Sequence, residues 1–287
     1  MAEPELRRAH NEAGGYWFLP GIQAYSAGVI ADERHHIVHL RLRDPTPLEA
    51  GMDVARLLLD EVFGRPPAAL CAVELRSPRP VGFRGFAQFN RFYVSLLERL
   101  GLLIGGVNPV ARNNVVPLSE PPREFSLTAF SFTVPRTSGD PAGSFITSGA
   151  AETAGLSPEL VVRRGEHDAP ALREKAAFTL GRIRRRVFDL GGRQDAITGV
   201  NVYTAHPVDG EIREAVFRES GGPACVQWHA ATPPVRGLEF QVDVRSIDLE
   251  MVAAGKTADF GRPARTAMGG GSLNGETAAD RDTDRPL

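Results

Sequence analysis

Cysteine is nearly absent from this chain, with two among 287 residues, Cys71 and Cys225. Two thiols so far apart exclude a disulfide-stapled scaffold and fit a reduced, cytoplasmic compartment, with both cysteines in apolar core. Neither sign of charge is in excess. A formal net charge of −2 leaves no basic footprint, which argues against nucleic acid or an acidic membrane as partner. No stretch approaches the roughly 18 apolar residues of a membrane helix. The polar opening from Met1 to His10 lacks the apolar segment of a signal peptide. Phosphate-loop, dinucleotide and G-x-S-x-G patterns are also missing, so no cofactor is expected. Nor is a metal. On a strand His35 and His39 would share a face about 13 Å apart, too far for one ion, while His36 points the other way.

What is present is an ordinary globular composition, 42% hydrophobic and 24% charged, long enough for two domains. After a polar lead over 1–15 and an apolar Tyr16-Trp-Phe-Leu-Pro20 that docks on the core, Ile37 to Arg43 alternates as a strand. Leu48, Met52, Ala55, Leu59 and Val62 step as a helix closed by Gly64. Ala69 to Arg76 is a strand. Phe83 to Leu100 is a helix with Phe86, Phe89, Tyr93, Leu96 and Leu100 on one face and Asn90 at its surface. A closing strand spans Phe125 to Val134.

Pro135 to Gly143 is a linker, and past it the order restarts. Ser144 to Glu152 is a strand into a tight turn. Leu172, Ala176, Leu180, Ile183, Val187 and Leu190 form a helical stripe that leaves Arg184-Arg-Arg186 as a solvated face. Ile197 to Tyr203, Glu211 to Glu219, Ala224 to His229 and Leu238 to Ile247 supply strand, helix, strand and strand. Gly64 and Gly191 stand 127 residues apart, as do Val73 and Val200. That regular offset indicates an internal duplication: an α+β chain of two modules, 16–135 and 144–251, each a sheet with two helices on one face. Residues 255–287, rich in Gly, Asp, Arg and Thr, are expected to be disordered.

Between the second helix and closing strand of the first module lies Gly106-Val-Asn-Pro-Val-Ala-Arg-Asn-Asn-Val-Val-Pro117. It fixes Arg112 at its base between a turn and a short strand. A guanidinium held this way can grip a carboxylate through two parallel hydrogen bonds.

Two segments resemble the RidA (YjgF/RutC-like) superfamily of imine and enamine deaminases: Ala24-Tyr-Ser-Ala-Gly-Val29, and Ala111-Arg-Asn-Asn-Val115 followed by Pro117. The tandem modules, with Ser148-Gly-Ala-Ala-Glu152 and Tyr203-Thr-Ala-His206, resemble the superfamily's two-module aminomuconate deaminases. The resemblance implies two chorismate-mutase-like modules, a homotrimer with sites at module junctions, and a small carboxylic acid substrate. Its expected reaction is cofactor-free hydrolytic deamination of a 2-aminomuconate-type enamine acid, with release of ammonia. It gives Arg112 the substrate carboxylate and places Tyr25 at the pocket mouth. Departures are visible. Pro223-Ala-Cys225 stands where the second module's arginine would be, and the last-strand carboxylate of single-module members is replaced by Thr128 and Gln241.

Such a reaction needs a proton donor to carbon and an activated water. Three residues are candidates. Glu152 follows the small residues Gly149 to Ala151, His206 ends a strand and carries an imidazole, the side-chain type suited to proton transfer near neutral pH, and His229 comes from the segment matching the arginine segment. Asn113 and Asn114 could add donors beside Arg112, and Asn201 and Tyr203 could orient substrate or water. Two other readings stay open: a chorismatase-like hydrolase of a carboxylated enol ether, and a non-catalytic acid-binding or scaffold protein.

Overall fold

The computed structural model describes residues 7–137, 143–220 and 225–253, with Cys225 described by its backbone alone. The tail expected over 255–287 and the middle of the expected linker lie outside the described residues.

The duplication is written in the strand order. The first copy has strands β4 (His35–Pro47), β5 (Leu70–Arg76), β6 (Ala111–Pro117) and β7 (Ser126–Pro135), with helices α1 (Leu48–Leu57) and α2 (Phe83–Arg99). The second has β8 (Phe145–Thr147), β9 (Ala150–Ala151), β10 (Gly199–Thr204), β11 (Cys225–Thr232) and β12 (Phe240–Ser246), with helices α3 (Ala169–Leu190) and α4 (Gly210–Glu219). The sheet orders are β6-β5-β7-β4 and β11-β10-β12-β8, the same path in each copy. In both, the two strands flanking the second helix pair in parallel, and the last strand inserts antiparallel beside the first of them.

The copies join edge to edge, where Thr232 and Ala231 of β11 pair antiparallel with Val116 and Pro117 of β6. The chain ends cross over. The N-terminal strands β1 (Ala9–Asn11), β2 (Tyr16–Leu19) and β3 (Gly28–Ala31) extend the second copy's sheet through β8. Strand β13 (Leu249–Ala253) runs parallel to β4 on the first copy's far edge. The segment over 16–31 thus belongs in sequence to one module and in hydrogen bonding to the other.

Three apolar cores hold this arrangement. One packs α1 and α2 on the first sheet through Met52, Phe86, Tyr93 and Phe130. Another packs α3 and α4 on the second through Leu180, Ile183, Val202 and Phe240. A third lies between the sheet faces turned away from the helices, where Phe18, Val29 and Ile146 meet Ile37, Cys71 and Ala72. Each fully buried Val, Leu, Ile, Phe or Met among them contributes roughly 1.5–3 kcal/mol. The strand alternation that divides these cores also sorts the polar residues. Along β6, Arg112 and Asn114 share one face and Asn113 takes the other.

Candidate active site

A cavity of about 400 Å³ opens at the junction of the two copies. Its walls come from the loop at Ile22 and Tyr25, the start of α2, β6, the glycine-rich turn after β8, one face of α3, and Gln241. Asn108 ties the first of these to β6: its Nδ2 donates to Ala24 O at 2.8 Å and its Oδ1 accepts from Val110 N at 2.9 Å. Ser148 ties the second copy to the same strand, since its hydroxyl accepts from Arg112 N at 2.8 Å and donates to Ser26 O at 2.6 Å. A Cβ on Gly149 would stand 2.6 Å from Gln241 Nε2 and 2.8 Å from Asn113 Oδ1, so any larger residue displaces those side chains.

Arg112 forms part of the cavity wall and is 3% exposed. Its guanidinium carbon lies 4.6 Å from the Tyr25 ring centre, 4.8 Å from Tyr93, 5.3 Å from Phe89 and 5.5 Å from Phe86. Its Nη2 donates to Asn90 Oδ1 at 2.7 Å, whereas Nη1 is buried without a partner. Among the described residues no carboxylate pairs with Arg112. Burial lowers its pKa, and Tyr25 and Tyr93 act the other way. A buried cation without a counter-charge is expensive, and aromatic faces recover only part of that cost. Asn114 faces the same cavity; its Oδ1 accepts from Ser77 Oγ at 2.9 Å and its Nδ2 is buried without a partner. Two unsatisfied donors thus lie along one strand face, as an incoming carboxylate requires.

The opposite wall is helix α3, which brings Arg182, Arg185, Arg186 and Asp189 to the cavity. Arg186 Nη1 donates to Ser148 O at 2.7 Å and Arg182 Nη1 donates to Thr153 O. Arg185 Nε lies 2.8 Å from Asp189 Oδ1, and the Asp189 side chain is 2% exposed. Four guanidinium groups and one carboxylate surround the cavity, so it favours an anion with more than one negative charge. The expected solvated Arg184–Arg186 face holds at Arg184, which pairs with Glu219, and at Arg185, which is exposed at the cavity rim; it is corrected at Arg186, which is half-buried because the turn after β8 packs over it.

The residues singled out from sequence fall into three places. Arg112, Tyr25 and Asn114 line the cavity. Asn113, Asn201, Tyr203 and His229 lie behind it, in a polar layer between the two sheets. There Asn113 Nδ2 donates to Tyr203 Oη and to Asp243 Oδ2, both at 2.7 Å, and Asn113 Oδ1 accepts from Gln241 Nε2 at 2.5 Å. Asn201 Nδ2 donates to Asp243 Oδ1 at 2.9 Å, and His229 Nε2 lies 3.0 Å from Asn201 Oδ1 with its ring stacked on Tyr203. Burial pushes the Asp243 carboxyl up to about 6, with the Glu74 charge acting the same way. Burial also lowers the His229 pKa, as does the nearby Arg76.

Glu152 and His206 lie elsewhere. Glu152 sits between the cavity-lining Ala151 and Thr153 but is turned from the cavity and fully buried. It accepts from Glu239 N at 2.5 Å, Phe240 N at 3.2 Å and Lys175 Nζ at 3.4 Å. Burial raises its pKa against those hydrogen bonds. His206 Nε2 pairs with Glu239 Oε2 at 2.8 Å and does not line the cavity. Neither is positioned to exchange protons with a ligand at Arg112.

Asn90, expected at the surface, is instead 7% exposed and is the hydrogen-bond partner of Arg112. Strand register also shifts the second copy's counterpart of Arg112. Val73 pairs with Arg112 and Val200 with Val226, so Val226 rather than Pro223 to Cys225 occupies the equivalent position. Asp189 and Asp243 were missed; Asp189 lies beside the apolar stripe, next to Leu190, and Asp243 stands two residues past Gln241 on the same strand face.

Comparison with known proteins identifies the family of the chain. The family model described as 2-aminomuconate deaminase CnbZ matches residues 8–251. A 2-amino-5-chloromuconate deaminase from Comamonas testosteroni is 37% identical over 244 residues, 83% of this chain and 96% of that protein. Among solved structures, a chorismatase is 13% identical over 77% of each chain with a TM-score of 0.45. A putative endoribonuclease L-PSP from Entamoeba histolytica is 14% identical over 37% of this chain and 80% of its own, with a TM-score of 0.29. With the family model spanning nearly all the described residues and the Comamonas protein matched along almost its whole length, this chain belongs to the 2-aminomuconate deaminase family.

Proposed function

We propose that the cavity binds a 2-aminomuconate-type enamine dicarboxylate and hydrolyses its C–N bond, releasing ammonia and leaving the 2-oxo acid. The observation that carries this reading is the buried, carboxylate-free guanidinium of Arg112, with its unpartnered Nη1 beside the unpartnered Nδ2 of Asn114. In this reading Arg112 and Asn114 take the carboxylate next to the amino-bearing carbon. The arginines of α3 receive the far carboxylate across the cavity.

The reaction balances with water alone. A proton added to carbon converts the enamine to an imine. Water adds to the imine carbon, and the resulting carbinolamine expels ammonia as its C–N bond breaks. Arg112 assists by orientation and by drawing electron density from the reacting carbon. Among the described residues Asp189 is the one carboxylate lining the cavity, and we assign it the proton transfers, with Arg185 fixing its direction. We include a homotrimer in the reading, supported by edge strand β13, which leaves Leu249, Met251 and Val252 exposed. Sedimentation at three times the 31.0 kDa chain mass tests it.

The function is tested by mixing purified protein with freshly generated 2-aminomuconate and following ammonia and the diene absorbance together. Stoichiometric ammonia with loss of the diene is expected. Loss of absorbance without ammonia would show that the chain transforms the diene but does not deaminate it.

A further inference from the structure

Outside the cavity lining, three segments of the second copy converge. His167 precedes α3, His206 follows β10, and Glu239 precedes β12. One ligand atom from each lies within 4.8 Å of the others. The Glu239 carboxylate is flanked on both oxygens: His206 Nε2 is 2.8 Å from Oε2 and His167 Nδ1 is 3.7 Å from Oε1. The two imidazoles stack at 5.0 Å between ring centres. None of the three lines the cavity.

Two features set this group apart from a chance surface cluster. First, its carboxylate is rigidly mounted. Glu239 N donates to the fully buried Glu152, which also holds Phe240 N and faces the fully buried Lys175. Lys175 is one of only two lysines in the chain. The His206 loop is likewise fixed, by donation from His206 N to Thr204 Oγ1 at 3.2 Å. Second, the ligand types suit one class of ion. Two imidazoles and one carboxylate form a borderline-soft set characteristic of zinc-class divalent ions, not of magnesium or calcium. In a tetrahedral zinc site with bonds of ~2.0–2.2 Å, ligand atoms stand about 3.3 Å apart. The separations of 2.8 and 3.7 Å bracket that value. The His167 side chain is 48% exposed, so water has access to the fourth position. Neighbouring Asp168 is occupied as the N-cap of α3, its Oδ1 accepting from Ala171 N at 2.9 Å.

We infer that His167, His206 and Glu239 form a binding site for one zinc-class divalent cation. The ion would staple the start of α3, the exit of β10 and the approach to β12. It gives the buried Glu152–Lys175 pair a purpose: holding the carboxylate ligand in place. The site is independent of the deaminase reading, and Glu239 touches the cavity wall only through its neighbour Leu238.

The test uses the full chain, stripped with a chelator and titrated with zinc chloride by calorimetry. One zinc per chain is expected. His167→Ala should weaken binding by at least about tenfold, the lower end for disturbing even an outer-shell partner of a metal. His206→Ala and Glu239→Gln should do the same, while Arg112→Ala should leave zinc affinity unchanged. Cobalt(II) in place of zinc should give the visible absorption of a four-coordinate site, lost in His167→Ala. Because His167 is half-exposed, its variant tests the ligand without threatening the fold. Absence of a zinc isotherm, or equal affinity in wild type and His167→Ala, would overturn the site.

Discussion

Arg112 is the residue on which the most depends. Most buried arginines end on a carboxylate of their own protein; this one ends on Asn90, aromatic faces and an open cavity. If a substrate carboxylate completes it, Arg112→Lys should keep the charge and lose the fork, and so retain more activity than Arg112→Ala. Glu152 provides the contrast. Glu152→Gln leaves Lys175 buried without its counter-charge and should lower unfolding free energy by about 3 kcal/mol, read by urea denaturation. Its kcat, measured on the folded fraction, should stay at the wild-type level. A collapse of kcat at unchanged stability would return Glu152 to the reaction. Arg112 was legible in sequence because turn, strand and proline frame it. Glu152 was misplaced because small neighbours signal closeness to a cavity but not which side of the chain faces it.

At the scale of elements, alternation decides the site. Strand β6 sends Arg112 and Asn114 to the cavity and Asn113 to the layer behind, where Gln241 and Asp243 of β12 receive it. Gly149 lets these elements meet. Gly149→Ala should push Gln241 and Asn113 apart and weaken substrate binding, seen as a rise in KM larger than any fall in melting temperature. Unchanged KM would mean that the close approach is incidental. The strands and helices of both copies were readable from period and punctuation. Strand β13 was not, because its partner, β4, lies far away in sequence, and β2 showed in sequence only as an apolar run docked on the core. The role of α3 was half legible. Its apolar stripe gave the helix, but which arginines face a cavity depends on the turn after β8 packing over them.

For the whole molecule, the layer between the two sheets is apolar around Phe18, Val29 and Ile37 and polar around Asn113, Asn201 and Asp243. That layer makes stability depend on pH in a specific way. The folded-state pKa of Asp243 is raised, to about 6, so the folded protein keeps a proton that the unfolded chain releases. Its contribution to stability therefore falls as pH rises from about 4 to about 6. Glu74 runs the other way. Burial raises its pKa, but His39, Arg76 and Arg245 outweigh burial and hold it low, so its contribution is present above the ordinary carboxylate range and lost below it. Asp243→Asn should remove the fall between about pH 4 and 6 and leave the acid-side loss. Parallel curves for both proteins would show that Asp243 titrates as an ordinary carboxylate. The duplication was visible as a regular offset, whereas the exchange of chain ends between copies and the net-positive cavity at their junction arise only in three dimensions.

The most direct measurement is kcat/KM for ammonia release from 2-aminomuconate by the wild type, Arg112→Lys and Arg112→Ala, with folding of each checked by its melting curve. A folded Arg112→Ala protein should lose on the order of 10²–10³ in kcat/KM, as when a buried charge-stabilising donor is removed, with Arg112→Lys between it and the wild type. A folded Arg112→Ala enzyme that deaminates at the wild-type rate would contradict the assignment of Arg112 as the substrate's carboxylate partner.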